Sequence, residues 1–376
     1  MKKIGIITFH NSYNCGSMLE SYAILRKMQQ IDLNAEIINF SSNGQKKLYS
    51  KFYKNNSIKN MLKNILILPL INKIKLNNLK YEEFKNKNFN LSKSYNDNNI
   101  DDSKYCIVVA GSDQIWNITI DDYDDAYYLN WVKSARKIAY APSFGSKNIL
   151  TYSENIKKYK ELLNDFDAIS IREENGKKWI KDLIGRDVEV LIDPTLLFDS
   201  DEYDMLLDNA CTPKYEYIFF YCPSFSRNLC KFVKKISKLY HLPVICWSTK
   251  SYCTKLIFTY GFKLPKYESP SVYLSLIKNA KLIFTTSFHG TIFSTIYRKQ
   301  FFVLKNGDMY GNDDRVKTLL EQLNMMKQLI EPNYDAQFNY FNKIDYDNYD
   351  LKITKLREKA NRFINENIGV YYERTK

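Results

Sequence analysis

The stretch Lys281-Leu-Ile-Phe-Thr-Thr-Ser-Phe-His-Gly-Thr-Ile-Phe-Ser-Thr295 decides the fold. Residues Leu282 to Thr286 are apolar or β-favouring and predict a buried strand. Apolar residues then follow at helical spacing, so we expect the strand to turn directly into a helix with His289 at the turn. Backbone N–H groups at a helix start favour an anion, and an imidazole adds a group that moves protons near neutral pH. The alternative is that His289 only caps the helix or hydrogen-bonds the core.

The same pattern of a strand followed by a polar turn recurs along the chain. Strands are predicted over Ile4 to Phe9, Ala35 to Phe40, Tyr105 to Ala110, Lys137 to Ala141, Ala168 to Ile171, Val188 to Ile192, Tyr217 to Tyr221, Val244 to Trp247 and Phe301 to Leu304. Amphipathic helices are predicted between them, and the last covers Leu351 to Ile368. This alternation predicts an α/β fold of two doubly wound domains that face each other across a cleft.

We expect the chain to divide into three parts. Residues 1–198 form a first Rossmann-like domain that includes a basic helical excursion over 41–100. Residues 199–330 form a second Rossmann-like domain. Residues 331–376 form a C-terminal helical segment, which could cross back onto the first domain.

Composition restricts the class of protein. The 376 residues are 45% hydrophobic, which excludes a disordered chain. Seven cysteines without a C-x-x-C pair indicate reduced thiols. The apolar run at the start is too short for a signal peptide, and no stretch approaches the roughly 18 apolar residues of a membrane span. We therefore expect a soluble cytoplasmic protein, and a place at the inner face of the membrane stays open.

The positive charge is concentrated in one segment. The chain has a formal net charge of +13, and residues 41–93 hold twelve lysines and only two acidic residues. Apolar residues between Met61 and Ile74 are interleaved with lysines. Such a basic amphipathic stretch is typical of a helix that lies on an anionic membrane. The alternative is a helical excursion that packs over the sheet with its lysines in solvent.

Several predicted strands end in polar residues that suit a ligand, because ligands bind at the carboxyl ends of the strands in open α/β sheets. Arg172 follows the strand Ala168 to Ile171 and can pair with a carboxylate or phosphate; the alternative is a salt bridge to Glu173 or Glu174. The other candidate substrate-binding residues at these ends are Asn14, Gly16, Ser17, Gly111, Ser112, Asp113, Gln114 and Ser143.

Taken together, six motifs resemble those of the polysaccharide pyruvyl transferase family. They cover residues 4 to 325 in the order of the family, whereas each motif alone is a weak signal. The motifs are Thr8-Phe-His-Asn-Ser-Tyr-Asn-Cys-Gly-Ser17, Ala110-Gly-Ser-Asp-Gln-Ile-Trp-Asn117, Tyr140-Ala-Pro-Ser-Phe-Gly145, Ser170-Ile-Arg-Glu-Glu-Asn-Gly176, Asp193-Pro-Thr-Leu-Leu197 and Ser287-Phe-His-Gly-Thr291.

The resemblance implies a GT-B-like fold of two Rossmann domains and a specific reaction. A pyruvyl group passes from phosphoenolpyruvate to a sugar diol of a polysaccharide or glycan precursor, which gives a cyclic ketal and phosphate. No cofactor is implied beyond this donor. No cluster of acidic, histidine or cysteine residues has metal-ligand spacing, so a metal is not indicated.

Residue roles follow from matching this chemistry to the motifs. We expect His289 to act as the acid and base, and Arg172 to hold the carboxylate or phosphate from the opposite side of an electropositive cleft. The family also implies a basic residue after the strand that follows the His motif, for which Lys305 and Arg315 are the candidates. Arg315 could instead pair with Asp313 or Asp314. The remaining substrate-binding candidates are Glu173, Ser287, Phe288, Gly290 and Thr291.

Two other functions stay open. A GT-B-type glycosyltransferase would need an acidic or aromatic nucleotide pocket in the second domain, and none is evident around Tyr267-Glu268. A nucleic-acid binder could use residues 41–93, but no nucleic-acid motif accompanies the lysines. The expected partners are therefore phosphoenolpyruvate, a sugar or lipid-linked glycan acceptor and the membrane surface as a peripheral contact, but not nucleic acid.

Overall fold

The structure is a computed structural model, and it describes residues 2–95, 99–305 and 314–375. Within these residues the strands form two separate parallel sheets. The first sheet contains β1 (Lys3–Ile7), β2 (Glu36–Phe40), β3 (Leu91–Tyr95), β4 (Tyr105–Ala110), β5 (Arg136–Ala139), β6 (Ala168–Ile171) and β7 (Glu189–Val190). The second contains β8 (Ile218–Tyr221), β9 (Val244–Cys246), β10 (Leu282–Thr285), β11 (Phe301–Leu304) and β12 (Leu329–Ile330).

Helices connect these strands, as parallel pairing requires. In the first part they are α1 (Cys15–Gln29), α2 (Asn43–Leu48), α3 (Ile58–Ile67), α4 (Ile71–Asn88), α5 (Ile149–Tyr152), α6 (Ile156–Asn164) and α7 (Glu174–Ile184). In the remainder they are α8 (Ser200–Asp204), α9 (Arg227–Leu239), α10 (Thr249–Thr254), α11 (Pro270–Asn279), α12 (Phe288–Ile296), α13 (Asp314–Gln322), α14 (Tyr346–Ile364) and α15 (Val370–Thr375). The predicted α/β alternation is confirmed.

The order of the strands places the site. The first sheet runs β3-β2-β1-β4-β5-β6-β7, so the chain reverses direction across the sheet between β1 and β4. The second runs β12-β11-β10-β8-β9 and reverses between β8 and β10. Ligands in open α/β sheets bind outside the carboxyl ends of the strands at such switch points. The turns after β1, β4, β8 and β10 are therefore the expected walls of a site.

One strand lies where the sequence predicted only a helical excursion. Strand β3 pairs in parallel with β2 at the edge of the first sheet, inside the range 41–100. The prediction failed here because the strand is short and mostly polar, and only Ser92 and Tyr95 in it are buried. An edge strand needs few apolar residues, since it packs on fewer neighbours than a central strand.

The C-terminal helix α14 connects both halves of the molecule. Near its start, Tyr346 donates to the backbone of Lys299 in the second half (2.6 Å). Further along, Arg357 donates to the carbonyls of Leu196 (2.7 Å) and Phe198 (2.6 Å) in the first half. The helix begins at Tyr346, earlier than the predicted Leu351, because Asp345 caps it by accepting from the backbone N–H of Asn348.

A buried carboxylate organises the turn between β6 and α7. Glu173 is fully buried, and one of its oxygens accepts from the Ser143 hydroxyl (3.1 Å) and the Phe144 N–H (2.7 Å). Burial raises the pKa of Glu173 to about 7, although Arg172 lowers that pKa. Its second oxygen has no hydrogen-bond partner within the described residues. Glu173 therefore holds two neighbouring turns together and is easiest to bury in its neutral form.

This burial predicts a pH-dependent stability. A carboxyl whose pKa is raised on folding stabilises the protein below its unfolded pKa, and that contribution is lost as pH rises from its usual 4.5 through about 7. Glu173→Gln keeps an acceptor and removes the ionisation. We expect the wild type to lose on the order of 3 kcal/mol more stability than the variant between those pH limits.

Thermal and urea denaturation measured on both sides of this pH range test the expectation. Glu174→Gln is the matched control, because Glu174 is the adjacent residue and is exposed. Parallel pH profiles for the wild type and Glu173→Gln would show that Glu173 does not carry the effect.

Candidate functional site

A cavity of about 240 Å³ lies between the facing sheets, at the switch points described above. Its walls come from the turns after β1, β4, β6, β8 and β10, together with residues from the excursion after β2 and from α13. The lining residues are Phe9, Asn14, Ser17, Leu48, Tyr49, Asp113, Gln114, Ile120, Asp122, Arg172, Tyr221, Pro223, Ser287, Phe288, His289 and Arg315. Nine of the sequence-predicted site residues are thus brought to one cavity.

His289 sits in the first turn of α12, and it is not the helix cap. Ser287 caps this helix by accepting from the N–H of Gly290 (3.2 Å). The imidazole is only 8% exposed, and its Nε2 lies 3.4 Å from a carboxylate oxygen of Asp193. That nitrogen has no hydrogen-bond partner among the described residues. The ring is therefore held by packing and by the nearby carboxylate, and its side chain lines the cavity.

The start of α1 is the surface on which His289 packs. A Cβ atom added at Gly16 would lie 2.3 Å from Nδ1 and 2.6 Å from Cγ of His289. Asn14 caps α1 by accepting from the Gly16 N–H (2.9 Å). Two helix N-termini, one from each half, therefore meet at the imidazole. Both ends carry partial positive charge, which favours an anion between them.

Arg172 follows β6 and faces the same place from the first sheet. Its Nη1 donates to Asp193 (2.7 Å), its Nη2 lies 3.8 Å from Asp113, and its guanidinium stacks 4.4 Å from the ring centroid of Phe288. The salt bridge to Glu173 or Glu174 that the sequence left open is not formed among the described residues. Nε and Nη2 of this almost fully buried arginine have no hydrogen-bond partner in that part of the chain.

Asp193 joins the two candidate catalytic residues. Its Oδ2 contacts both Arg172 and His289, while its Oδ1 accepts from the N–H (3.0 Å) and hydroxyl (2.6 Å) of Thr195. Although burial opposes ionisation, the neighbouring His289 and Arg172 hold the pKa of Asp193 well below its usual range. A residue of the second sheet and a residue of the first thus share one buried carboxylate.

Two further acidic residues at the site were not predicted as site residues. Glu20 on α1 accepts from Ser112 N–H (2.5 Å) and Thr8 hydroxyl (2.8 Å), and burial together with Asp193 and Asp113 raises its pKa well above the usual range. Asp122 lines the cavity, and burial raises its pKa to about 7. The cavity is therefore of mixed charge, whereas the sequence led us to expect an electropositive cleft. Glu20 is the single acidic residue of α1 and lies among apolar residues, which is the sequence signal that could have identified it as a site residue.

The remaining predicted residues support the walls. Gly111 approaches the backbone of Tyr140 closely, and the hydroxyl of Ser112 donates to the carbonyl of Ala141 (2.5 Å). Gly290 is packed against Thr285, and the Thr291 hydroxyl donates to the Ser287 carbonyl (3.0 Å).

The two basic candidates near the second sheet behave differently. Arg315 is buried and lines the cavity. Lys305 is exposed and pairs with Glu331 (2.9 Å), so the described structure does not bring it to the cavity. Asp314 accepts from the Ser146 hydroxyl (3.1 Å) and the Asn175 N–H (3.0 Å) of the first half, and Asp313 lies outside the described residues.

A second cavity of about 380 Å³ adjoins the first and shares Asn14, Leu48, Tyr49, Tyr221 and Pro223 with it. Its other walls include Trp247, Thr249 and Glu268 of the second half and residues of α4. Here the structure corrects an expectation, because an aromatic and an acidic residue do line a pocket beside Tyr267-Glu268. The fold brings Trp247 and Glu268 to the same pocket. Because the two residues are far apart in the sequence, the sequence alone did not show that they share it.

A bridge between the halves stabilises the wall of this second cavity. Asn77 of α4 donates to the Thr249 hydroxyl (3.1 Å) and accepts from the Glu268 N–H (2.8 Å). Glu268 in turn accepts from the N–H (2.7 Å) and hydroxyl (2.8 Å) of Thr249.

No group of three or more histidine, cysteine, aspartate or glutamate residues in the described part of the chain is arranged to hold a metal ion. No helix in that part of the chain is both long and apolar enough to cross a membrane.

Comparison with solved structures supports the architecture. A UDP-N-acetylglucosamine 2-epimerase superimposes with a TM-score of 0.50 at 12% identity, over 100% of this chain and 97% of the other. The UDP-GlcNAc 2-epimerase of Neisseria meningitidis gives 0.47 at 12% identity, over 99% and 98% of the two chains. A heptosyltransferase of E. coli gives 0.38 at 12% identity, over 85% and 99%. The first likeness, together with the two parallel sheets, shows the GT-B-like Rossmann architecture and nothing about activity.

The sequence comparisons are more specific. No curated protein matches the chain. The family model described as polysaccharide pyruvyl transferase matches residues 14–308, which include His289, Arg172 and Asp193. This match covers well over half of the chain, so the protein belongs to the polysaccharide pyruvyl transferase family and is a transferase.

Proposed function

We propose that the protein transfers a pyruvyl group from phosphoenolpyruvate to two hydroxyls of a sugar, forming a cyclic ketal and releasing phosphate. The observation that carries this proposal is the meeting of His289 and Arg172 at Asp193, beside a small cavity. Both residues line the cavity, and Nε of the buried Arg172 has no hydrogen-bond partner in the described structure. Buried donors of this kind are costly unless a ligand pairs with them.

The donor has the charge pattern that these groups suit. Phosphoenolpyruvate carries a carboxylate and a phosphate on adjacent positions. The guanidinium of Arg172 and the buried Arg315 are the cations at the cavity, and the starts of α1 and α12 add partial positive charge. We infer that the two arginines divide the two anionic groups between them, which leaves the methylene carbon near the imidazole.

The chemistry needs one group that first gives and then takes a proton. Protonated His289 delivers its proton to the methylene carbon, which becomes a methyl group and leaves a cationic centre at the enol carbon. One sugar hydroxyl attacks this centre, phosphate then departs with the bonding electrons, and the second hydroxyl closes the ring. Of the two hydroxyl protons, one restores the imidazolium and the other leaves on the phosphate.

Asp193 has a supporting role in these reaction steps. Its carboxylate lies 3.4 Å from Nε2 of His289, where it can orient the ring and offset positive charge during the proton transfer. The oxocarbenium-like centre is cationic, so the carboxylates of Asp113 and Asp193 near the cavity also oppose its charge. The mixed charge of the site therefore suits an anionic donor that passes through a cationic centre.

The second cavity is the place we propose for the acceptor. It adjoins the first cavity, with which it shares five lining residues, and it offers an indole, amide and hydroxyl side chains. Flat aromatic faces together with amides and hydroxyls suit a sugar, since sugars present both C–H faces and hydroxyl edges. A diol held at the shared wall would face the donor.

One specific observation keeps a second function in view. The pocket formed by Trp247 and Glu268 lies in the second half, where a nucleotide-sugar glycosyltransferase of this architecture would need its nucleotide site. This alternative predicts tight binding of a UDP-sugar and no binding of phosphoenolpyruvate. Calorimetric titration with each compound separates the two functions.

The direct test is to incubate the protein with phosphoenolpyruvate and a panel of lipid-linked and nucleotide-linked sugars. We expect phosphate release that depends on one class of sugar, and a product heavier than the acceptor by one pyruvyl ketal in mass spectrometry. Sugar transfer from a nucleotide sugar, with no phosphate released from phosphoenolpyruvate, would establish the alternative instead.

The proton-transfer role predicts a large effect of His289→Gln. General acid–base catalysis contributes about 10²–10⁴-fold, so we expect kcat to fall by that factor. Donor binding should change little, because Arg172 and Arg315 remain. His241→Gln is the control, since His241 is exposed and does not line the cavity. Undiminished turnover by His289→Gln would remove His289 from this role.

The close packing of Gly16 predicts a positional effect. A methyl group there would lie 2.3 Å from His289 Nδ1 and must displace the ring. A shift of about 1 Å in a catalytic group costs up to about 100-fold, so Gly16→Ala should lower kcat by about 10- to 100-fold.

A double-mutant cycle isolates this contact. The three atoms nearest to the added methyl group, Nδ1, Cγ and Cβ, all belong to the His289 side chain. A His289→Gly background removes all three, so Gly16→Ala should cause no further loss of activity there. An equal loss in both backgrounds would show that Gly16 acts through something other than the imidazole.

A further inference from the structure

Helix α3 exposes an apolar stripe to solvent. The α3 stripe consists of five residues at helical spacing, whose exposed fractions range from 41% to 78%. It is formed by Ile58, Met61, Leu62, Ile65 and Leu66. Scattered exposed apolar residues are normal, whereas a continuous stripe along one helix marks an interaction surface.

Polar contacts on the opposite side fix the orientation of this helix. The amide of Asn64 accepts from the Tyr53 N–H (2.8 Å) and donates to the carbonyls of Tyr53 (2.9 Å) and of the Asn55 side chain (2.8 Å). Ile67 is fully buried and packs with Ile74 and Cys253. Because Asn64 and Ile67 face the protein, the α3 stripe faces outward and is not covered by the described chain.

The segment of chain that carries the stripe has charge of one sign. Residues 41–81 contain nine lysines and no acidic residue. Six of these lysines are exposed in the structure, namely Lys46, Lys47, Lys51, Lys54, Lys59 and Lys75. Exposed lysines beside an apolar helix face match the two parts of an anionic bilayer surface, which are the lipid headgroups and the acyl boundary below them.

We propose that the α3 stripe and its flanking lysines dock on a bilayer that contains anionic lipid. A second copy of this chain is a poorer occupant, because a symmetric contact through the stripe would bring two sets of lysines together. Nucleic acid would neutralise the lysines but leave the apolar side chains uncovered. An anionic bilayer accommodates both features at once.

The start of helix α3 borders a groove next to the second cavity. A surface groove of about 430 Å³ reaches Asn56 and Asn60 at the start of α3. The groove shares Leu48, Tyr53 and Lys250 with the cavity that we assign to the sugar acceptor. Docking through α3 would bring a lipid-linked sugar next to that cavity. This last step rests on the proposed function, whereas lipid binding itself does not.

Vesicle sedimentation of the full chain tests the proposal. Vesicles of phosphatidylcholine with phosphatidylglycerol are compared with vesicles of phosphatidylcholine alone, at about 0.1 M and about 1 M salt, where the screening length falls from about 10 Å to about 3 Å. We expect binding to the anionic vesicles that weakens at high salt. The triple variant Met61→Ser, Leu62→Ser, Ile65→Ser should lower the vesicle affinity about tenfold or more.

Two further variants separate the contribution of the α3 stripe to vesicle binding from that of the lysines. Leu33→Ser, Met205→Ser, Leu351→Ser removes three apolar side chains that are 85%, 66% and 68% exposed elsewhere, and it should bind vesicles like the wild type. The double variant Lys51→Glu, Lys59→Glu reverses two of the six exposed lysine charges and should weaken the preference for anionic lipid. Phosphate release with a water-soluble acceptor should stay unchanged in all three variants, which separates lipid docking from the proposed chemistry.

The proposal is overturned if the wild type does not sediment with anionic vesicles, or if the α3 triple variant sediments as the wild type does. It is equally overturned if size-exclusion chromatography shows a dimer that the triple variant abolishes while vesicle binding is absent in both, because the stripe is then an interface between copies.

Discussion

The shared carboxylate of Asp193 is the interaction on which the site depends. It lies after the last strand of the first sheet, is held by Thr195 from its own turn, and contacts Arg172 of the first half and His289 of the second. Buried charges of this kind stabilise a structure only when each is paired, and removal of one partner typically costs about 3–5 kcal/mol. The orientation of the imidazole, the position of the guanidinium and the approach of the two sheets therefore share one cause.

The other acidic residues show how the protein tolerates so many carboxyls in a small volume. Burial raises the pKa of Glu20, Glu173 and Asp122, so these groups are easiest to keep in their neutral form, whereas cationic neighbours lower the pKa of Asp193. Of these four groups, only Asp193, which contacts both Arg172 and His289, is strongly favoured as an anion. The dianionic donor that we propose would consequently meet fewer negative charges than a count of acidic residues suggests.

Sequence patterns predicted the parts of this structure that depend on local chemistry. Three strands were predicted with their observed bounds, namely Tyr105–Ala110, Ala168–Ile171 and Phe301–Leu304. Buried parallel strands are continuous apolar runs that end in polar turns, so their bounds are visible in the sequence. The turns then had to lie at one edge of each sheet, which placed His289 and Arg172 near a cleft. Asp193 was recognised as part of a motif but not as their common partner, since the pairing depends on how the two sheets face each other. Lys305 shows the opposite case, because its place after a strand suggested a ligand while its side chain turns to Glu331.

Periodicity alone does not determine the orientation of helix α3 on the protein. The sequence reveals that this helix has an apolar and a polar face, but amphipathicity does not state which face meets the protein. For most surface helices the apolar face is inside, because burial of apolar area provides the largest favourable contribution to folding. Here the hydrogen bonds of Asn64 and the buried Ile67 hold helix α3 with its apolar face toward solvent. An apolar face that stays exposed contributes no burial free energy to folding. That free energy is gained only when another apolar phase covers the face. The lysines of the same segment favour a phase with a negative surface.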